Sequence, residues 1–414
     1  MKTPKILLIG TGDTKSDEML FMRGCIEDAG GTAVIMDVSV LGDPKFAPAY
    51  SKHDVAKSAG TTIQGVVASG DENSAMALMA DGASKLARRL HDEGKADAAL
   101  ILGGSMGTDL ALDVAAALPL GVPKFVVSTI SFSHLIPPDR ISTDLMMILW
   151  AGGLYGLNSI CKSVLSQACG AIVGAARASV KPQNEKPIIG MTSLGKSCLK
   201  YMVPLKPALE ARGYEVAVFH TTGMGGRAFE SVAAQNGFAA VMDFSLQEIV
   251  NHDNGVLATS SGWDRLENAA KAGIPQIVAP GAVDMVDVQS WAPLPSQFAD
   301  RPYHAHNRLI GSFTTDLEGR RQTARTIGQK LERAWGPVAF ILPCGGVEQW
   351  DQEGEPLYDP EGLRAFNQAM RLAVRPPVEF HEIPDHINSP AFAAKALEVF
   401  DAWVAGDIIP AGLK

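Results

Sequence analysis

Short apolar runs alternate with amphipathic segments along most of the chain. In the first half, the apolar runs predict buried strands over residues 5–10, 31–39, 96–104 and 122–129. The segments between and after them predict helices over residues 16–30, 107–118 and 157–180. This alternation of strand and helix is typical of a parallel sheet that is covered by helices on both faces.

The pattern breaks at "KPQNEKP" (181–187), which holds two prolines and three charged residues, and then starts again. Strand-like runs follow at 187–191, 214–220, 239–244, 275–280, 309–313, 338–342 and 378–383, and helices are predicted over 196–212, 226–236 and 389–404. The sequence therefore predicts an α/β fold with two Rossmann-like lobes, residues 1–180 and 181–414. Each lobe is expected to be a mainly parallel sheet flanked by helices, with a ligand in the crevice at the carboxyl ends of the strands.

Composition narrows the class of protein. The chain has 414 residues and a net charge of −9, and no long basic run is present, so a nucleic-acid partner is not expected. The five cysteines form no CxxC pair, which argues against a structural zinc site or a disulfide framework. Neither a signal peptide nor an apolar stretch that is long enough to span a bilayer is recognised. We therefore expect a cytoplasmic protein without a membrane partner.

Two glycine-rich turns are candidate anion sites. "LGGSMGTD" (102–109) lies between a strand and a helix, where backbone N–H groups can approach an anionic ligand and Ser105 and Thr108 can add donors. "FHTTGMGGRAFES" (219–231) repeats this design in the second lobe with Gly223, Gly225 and Gly226. The structural alternative for both is a tight strand–helix turn.

Lys15 stands in "GTGDTKSDE" (10–18), close to the start of the first helix. A cation there opposes the helix dipole, so Lys15 is expected to have an anionic partner, although a solvated loop lysine is the alternative. The hydroxyl-rich end of another strand, "VVSTISFS" (126–133), is expected to lie near the 102–109 loop.

The stretch "GMTSLGKS" (190–197) matches the phosphate-loop pattern G-x-x-x-x-G-K-[ST]. A pattern with four fixed letters arises by chance in glycine-rich α/β proteins, and we interpret this match as a coincidence. Lys196 is accordingly not expected to act as a phosphate-loop lysine.

Three histidines are candidates for acid–base chemistry. His220 ends a strand, and His304 and His306 form an HxH pair. The HxH spacing is compatible with a metal ion, but the sequence fixes no further ligand, so no metal site is predicted.

Taken in order, several segments together resemble a known family: "IGTGDTKSDE", "LGGSMGT", "STDLMMI" with "GLNSI", "FHTTGMGGRAFES", "IPQIVAPGAVDMVD", "HAHNR" and "DHINSPAF". The chain is similar to the tomato mosaic virus resistance protein-like ATP-binding domains, as a divergent bacterial-type member, and the resemblance covers nearly its whole length. It implies two α/β lobes that form a homodimer or larger oligomer. It also implies ATP, with or without Mg²⁺, in a crevice between the lobes. The site residues implied are Lys15, Gly104, Ser105, Gly107, Thr108, Ser128 and Thr129 from the first lobe and Gly223, Gly225 and Gly226 from the second.

The chain also departs from this family. Relatives typically carry threonines in place of Lys196 and Ser197, an acidic residue in place of Gly153 and often an arginine in place of Glu72. The changes at Gly153 and Glu72 alter the charge near the implied site, so the ligand is either ATP or a related nucleotide or phosphate compound. Two alternatives stay open: an enzyme that uses a histidine on a small phosphorylated or carboxylated metabolite, and a regulatory module whose dimer is stabilised by nucleotide.

Overall fold

A computed structural model of the protein describes residues 3–152, 156–180, 185–298 and 300–413. The chain forms two compact units, Met1–Pro182 and Gln183–Lys414, which are called the N-terminal and the C-terminal unit below. Each unit has its own parallel sheet and its own hydrophobic cores.

The N-terminal unit is a five-stranded parallel sheet with helices on both faces. Its strands are β1 Lys5–Gly10, β2 Thr32–Asp37, β3 Ala98–Gly103, β4 Lys124–Ser128 and β5 Leu145–Leu149. Its helices are α1 Gly12–Asp28, α2 Lys52–Ser58, α3 Ile63–Val67, α4 Glu72–Asp92, α5 Ser105–Ala117 and α6 Ser159–Ala178. The strand order is β2-β1-β3-β4-β5.

Alternating side chains of β1 supply both cores of this unit. Leu7 and Ile9 belong to the core under α4 and α5, whereas Ile6 and Leu8 belong to the core under α1 and α6. Because successive strand residues point to opposite faces, a run of consecutive apolar residues is what a strand covered on both faces requires. This explains why the central strands are continuous apolar runs in the sequence.

The C-terminal unit has a six-stranded parallel sheet and a separate three-stranded antiparallel sheet. Its strands are β6 Ile188–Ser193, β7 Glu215–His220, β8 Ala240–Asp243, β9 Gln276–Val278, β10 Met285–Gln289, β11 Tyr303–Ala305, β12 Ile310–Thr314, β13 Val338–Pro343 and β14 Glu379–Ile383. Its helices are α7 Met202–Ala211, α8 Met224–Ala234, α9 Gln247–Asp253, α10 Asn268–Lys271, α11 Leu317–Leu331, α12 Pro360–Ala373 and α13 Pro390–Ala405. The parallel order is β7-β6-β8-β9-β13-β14, and the antiparallel order is β10-β12-β11.

The predicted fold class, two Rossmann-like α/β lobes with mainly parallel sheets, is confirmed. The helix that was predicted to begin at residue 196 begins instead at Met202, because residues 194–198 form a tight turn closed by a bridge between Leu194 and Cys198. The sequence pattern did not predict the antiparallel sheet.

Helix α6 is long and apolar enough, by length and composition alone, to cross a membrane. This corrects the expectation that no stretch meets that test. One third of its apolar window is buried, and its buried side chains, which include Leu165, Cys169 and Ile172, pack in the core beside α1. Core contacts account for that buried third of the window.

Candidate functional site

The N-terminal sheet reverses its strand order between β1 and β3. In open α/β sheets, ligands bind outside the carboxyl ends of the strands at such a reversal. A cavity of about 1080 Å³ lies there, between the turn that follows β1 and the turn that follows β3. Its polar lining includes Lys15, Ser16, Glu18, Gly104 and Ser105. We take this cavity as the candidate site.

The β1–α1 turn forms one side of the cavity. Gly10, Gly12 and Lys15 have the spacing of the dinucleotide fingerprint G-x-G-x-x-G, but a lysine replaces the third glycine. The N–H of Gly12 donates to Oδ1 of Asp37 at 2.9 Å. In dinucleotide-binding folds, an acidic residue after the second strand binds the ribose hydroxyls. Here the carboxylate of Asp37 is 1% exposed and holds the turn instead.

Lys15 interrupts the regular geometry of α1. Its backbone angles, φ −123° and ψ 24°, are not helical, although residues on both sides are. Its side chain is 9% exposed, and its ammonium lies 5.4 Å from the ring centroid of Trp150. An ammonium over an aromatic face is attracted by the ring quadrupole. Lys15 is thus held in the cavity wall and is not the solvated loop lysine of the alternative interpretation.

The β3–α5 turn forms the opposite side. A Cβ on Gly103 would lie 2.5 Å from Cα of Gly107, so the strand end and the first turn of α5 approach closely only because both positions are glycine. Gly104 is the N-cap of α5 and supplies no side-chain cap. The N-terminal N–H groups of a helix carry a partial positive charge and favour an anionic ligand.

The structure brings only part of the predicted site to the cavity. Lys15, Gly104, Ser105 and Gly107 line it. Thr108 and Ser128 are fully buried behind the wall, and their hydroxyl oxygens are 2.6 Å apart. The Thr108 hydroxyl also donates to the Gly104 carbonyl at 2.7 Å, so these two residues shape the turn rather than face the cavity. Thr129 lies next to Gly104, with Oγ1 3.8 Å from the position of a Cβ there.

Acidic side chains outnumber basic ones along the cavity. The carboxylates are those of Asp13, Asp17, Glu18, Asp71 and Glu72, and the ammonium groups are those of Lys15 and Lys45. Glu18 is 2% exposed, and its Oε1 has no hydrogen-bond partner within the described ranges. Glu72, one of the two positions at which the chain differs in charge from the family, lines the cavity. Gly153, the other position, lies outside the described residues.

Exposed apolar side chains also line the cavity. Leu41 is 79% exposed, Val67 51% and Met106 43%, and all three line it. Exposed apolar groups that gather around a cavity mark a ligand site more often than scattered surface residues do. This part of the site had no signal in the sequence, because the three residues come from three separate loops and helices.

In the C-terminal unit, the glycine-rich turn already holds a carboxylate. The N–H groups of Gly223 and Gly226 donate to Oε1 of Glu248 at 2.7 and 3.0 Å. A Cβ on Gly226 would lie 1.7 Å from Oε2 of the same residue. Gly225 is needed for a different reason, because its Cβ would lie 1.6 Å from the carbonyl oxygen of His220. An internal anion therefore stands where the sequence predicts a ligand, and it accounts for Gly226, whereas the close approach of the His220 carbonyl accounts for Gly225.

A buried guanidinium fixes that carboxylate. Arg265 is fully buried and pairs with Glu248 at 2.8 Å, with Asp243 at 2.5 Å and with Glu230 at 3.2 Å. Burial raises the pKa of Glu248 to about 7, although the Arg265 charge and the two glycine N–H groups act against that shift. The network joins α8, α9 and the end of β8.

The stretch 190–197 does not have phosphate-loop geometry. Gly190 lies inside β6, where it pairs with Ala217 and Val241, rather than in a loop. Lys196 and Ser197 form a turn, and the next helix begins only at Met202. A phosphate loop needs its lysine at the start of that helix. The interpretation of the match as a coincidence agrees with this geometry.

Three acidic residues form a buried acid cluster that the sequence pattern did not predict. Asp284, Glu348 and Asp351 are fully buried. Both carboxylate oxygens of Asp284, and Nε and Nη1 of Arg320 nearby, have no hydrogen-bond partner in the described part of the chain. Burial raises the pKa of all three carboxyls, that of Asp351 to about 8, and the neighbouring Asp284 carboxylate adds to the shift of the other two.

Comparisons with known proteins agree with the division into two units. The model for the uncharacterised protein family (UPF0261) N-terminal domain matches residues 4–181, and that for the C-terminal domain matches residues 186–404. The chain belongs to the UPF0261 family. No activity comes with this name, because the family is uncharacterised.

Relatives of this UPF0261 chain occur in bacteria and in a plant. A UPF0261 protein of Brucella suis biovar 1 is 65% identical, over 99% of this chain and 98% of its own. One from Clostridium tetani is 35% identical, over 94% and 96%. The ToMV resistance protein Tm-1(GCR237) of Solanum lycopersicum is 27% identical, over 96% of this chain and 55% of the tomato protein. The last match supports the resemblance that the sequence motifs indicate.

The buried acid cluster predicts that this UPF0261 protein loses stability as the pH rises. A carboxyl whose folded-state pKa is raised stabilises the fold fully below its unfolded pKa of about 4, and this contribution is lost as the pH rises through the folded value. Asp351, with a folded pKa of about 8, should therefore lower the free energy of unfolding between pH 5 and 8 by at least about 1 kcal/mol. Asp351→Asn should flatten this slope in urea titrations followed by fluorescence.

The control is Asp81→Asn, which changes an exposed carboxylate that pairs with Lys85 on α4. It should leave the slope as in the wild type. An Asp351→Asn protein with the wild-type slope would contradict the assignment of raised pKa values to this cluster.

Proposed function

We propose that the N-terminal unit binds ATP, or a related nucleotide or phosphate compound, in the cavity at the β1/β3 reversal. The observation that carries the proposal is the pairing, around one cavity, of an uncapped glycine-rich helix start with a lysine held in the wall. The motif resemblance to ATP-binding domains supports ATP in particular. The expectation that the ligand lies between the two lobes stays a prediction.

The phosphates are assigned to the side of the cavity formed by the β3–α5 turn. The N–H groups of Ser105, Met106 and Gly107 lie in the first turn of α5, where no side chain caps them. The Lys15 ammonium supplies a full positive charge, and a charge-assisted hydrogen bond to phosphate is shorter and stronger than a neutral one. Ser105 adds a hydroxyl donor at the same turn.

The base is assigned to the apolar side of the cavity. Val38, Val40 and Leu41 lie after β2, and Val67 and Met76 come from α3 and α4. The volume of about 1080 Å³ lies slightly above the roughly 300–1,000 Å³ that ligand sites span. A nucleotide that covered these side chains would remove their exposed apolar surface from water, which is favourable.

Magnesium belongs to the proposal because of the acidic lining. Mg²⁺ in nucleotide sites is bound by one or two carboxylates together with phosphate oxygens and waters. Glu18, whose buried Oε1 has no partner in the described residues, is the carboxylate that we assign to it. Within the same ranges, no group of three or more His, Cys, Asp or Glu side chains is arranged to hold a metal ion. The phosphates would therefore have to complete the coordination.

Lys15→Ala should weaken the binding of Mg·ATP by tenfold or more. The loss corresponds to a hydrogen bond with a charged partner, about 1.5–3 kcal/mol. Lys196→Ala should have at most a twofold effect, because Lys196 lies in the turn after β6 and not at a helix start. Isothermal titration calorimetry on the folded variants measures both values.

The matched control for Lys15→Ala is Lys85→Ala, which removes an exposed lysine on α4. It should not change the affinity. A larger loss from Lys196→Ala than from Lys15→Ala would overturn both the assignment of the site and the dismissal of the phosphate-loop match.

Glu72→Arg should tighten the binding of ATP by about two- to fivefold. This substitution replaces an exposed carboxylate at the cavity with a cation, and exposed charge pairs contribute about 0.2–1 kcal/mol. Glu72→Gln should give a smaller gain, and 0.5 M salt should diminish both gains because it screens exposed charges. Equal affinity for the three proteins at low salt would mean that Glu72 does not face the phosphates.

The protein is further proposed to be a homodimer or larger, with nucleotide stabilising the folded form. Light scattering at micromolar concentration measures the mass, and a monomer would exclude this part of the proposal. A ligand that binds only the folded protein adds RT ln(1 + [L]/Kd), about 2.7 kcal/mol at a hundredfold excess over Kd. The melting temperature should therefore rise across an ATP titration with Mg²⁺. An unchanged melting temperature at millimolar ATP would point to a different ligand.

A cytoplasmic location and the absence of nucleic-acid partners are part of the same proposal. The five cysteines are free, which is typical of a reducing compartment. The net charge of −9 disfavours contacts with a phosphate backbone. Turnover of bound ATP would identify an enzyme, whereas stabilisation of the oligomer without turnover would identify a regulatory module.

A further inference from the structure

The turn after β1 has the spacing of a dinucleotide site, but the protein itself fills the space beside it. Gly12 stands at the second glycine of the G-x-G-x-x-G pattern, the position at which a backbone approaches a pyrophosphate. A Cβ on Gly12 would lie 2.7 Å from Cβ of Pro44 and 3.1 Å from Oδ1 of Asp37. The end of β2 and the segment that follows it therefore occupy the space that this glycine leaves open.

Helix α1 begins with its first three N–H groups already bonded. The N–H of Gly12 donates to Oδ1 of Asp37 at 2.9 Å. The N–H of Asp13 donates to the Ser39 hydroxyl at 3.0 Å, and that of Thr14 donates to Oδ1 of Asp13 at 2.7 Å. The groups that bind a pyrophosphate in dinucleotide folds are thus committed to partners within the protein. At the start of α5, by contrast, no side chain caps the helix.

Asp37 stands where dinucleotide folds place the acid that binds the ribose. It ends β2 and follows Gly12 by 25 residues, and the ribose-binding acid of such folds follows the glycines by about 20. Its Oδ1 accepts hydrogen bonds from the N–H of Gly12 and from both the N–H and the hydroxyl of Ser39. Asp37 is 1% exposed and is not among the residues that line the cavity. Its carboxylate therefore holds the turn and does not face a bound sugar.

Other polar side chains on this side of the cavity also have partners within the protein. The Ser16 hydroxyl accepts from the N–H of Lys45 at 2.8 Å, and the Asp17 carboxylate pairs with the Lys45 ammonium at 3.1 Å. The Asp71 carboxylate accepts from the N–H of Ser74 at 2.9 Å, where it caps α4. The uncapped start of α5 is thus where the lining offers backbone donors to a ligand.

We propose that the cavity is a mononucleotide site that does not recognise the 2′-hydroxyl of the sugar, an inference that rests on the proposed function. Its ligands are nucleoside triphosphates that carry either ribose or deoxyribose, and dinucleotides are rejected. A site that hydrogen-bonds a substrate hydroxyl discriminates against the analogue that lacks it, because the polar groups of the site are then left unpaired. Here the carboxylate at the ribose position keeps its partners whichever sugar is bound.

The experiment compares the affinities of the full chain for ATP, 2′-deoxy-ATP and NAD⁺ by isothermal titration calorimetry with Mg²⁺ present. The dissociation constant of 2′-deoxy-ATP should lie within twofold of that of ATP. The loss of a hydroxyl that is held by a carboxylate would weaken binding by about tenfold or more, so the two cases are easily separated. NAD⁺ should bind at least tenfold more weakly than ATP, because the turn that would hold its pyrophosphate is filled.

Asp37→Asn tests the role of this carboxylate without relying on nucleotide. The substitution replaces an ionised acceptor of several hydrogen bonds with a neutral one, so the melting temperature of the ligand-free protein should fall by about 2 °C or more. The ratio of the ATP and 2′-deoxy-ATP affinities should stay at the wild-type value. The matched control is Asp92→Asn, which changes an exposed carboxylate that pairs with Arg88 on α4 and should alter neither quantity.

Each failure has its own signature. Binding of 2′-deoxy-ATP that is tenfold or more weaker than that of ATP overturns the inference and leaves the proposed function intact. NAD⁺ binding as tight as that of ATP overturns the assignment of a filled turn. An Asp37→Asn protein with the wild-type melting temperature contradicts the role of Asp37, and if this variant does not fold, the wild-type affinities alone decide. If neither ATP nor 2′-deoxy-ATP binds, the proposed function itself is refuted, and the inference falls with it.

Discussion

The reversal of strand order between β1 and β3 is the constraint on which the candidate site depends. The chain leaves β1 for α1, which packs on one face of the sheet, and leaves β3 for α5, which packs on the other. Two adjacent parallel strands thus send their loops in opposite directions, and a gap must open between them. Lys15 and Gly104 reach that gap only because each lies in the first residues after one of these strands. Without the reversal, both loops would fold over the same face and the cavity would close.

The C-terminal unit repeats this topology, but a carboxylate of the protein itself occupies its glycine-rich turn. Its order β7-β6-β8-β9-β13 matches β2-β1-β3-β4-β5, and the helices after β6 and β8 again belong to different cores. There, however, the hydroxyl of Thr192 donates to Asp243, and Arg265 joins Asp243 to Glu248, which occupies the glycine-rich turn. A buried charge is tolerated only when it is paired, and removal of one partner leaves the others uncompensated. The same topology therefore leaves a cavity at the strand reversal in one unit and holds a structural ion network in the other.

Much of the fold was predictable because it rests on local pattern. The continuous apolar runs of β1 and β3 and the break near residue 181 are signals that a sequence carries directly. The side chains of the site were less predictable. Thr108 was expected to contact the ligand, but its hydroxyl contacts Ser128 and the Gly104 carbonyl instead. Sequence spacing does not determine the direction in which such a side chain points. The pairing of Glu248 with Gly226 joins residues 22 positions apart through the tertiary fold, so no local pattern predicts it.

The charges around the cavity decide which phosphate compound suits it. Its five carboxylates repel a bare polyanion, because the two lysines, one of which is paired with Asp17 at 3.1 Å, are too few to balance all five charges. Inorganic phosphate or sulfate brings no cation of its own and would meet this repulsion in full. A nucleotide that carries Mg²⁺ arrives partly neutralised, can share its ion with a carboxylate such as Glu18, and can place its base against the apolar lining residues. If the cavity binds a phosphate compound as proposed, its acid-rich lining favours a metal-bound nucleotide over a simple anion. The acidic residue at position 72 makes that preference stronger, because it adds a charge that only a cation-bearing ligand can offset.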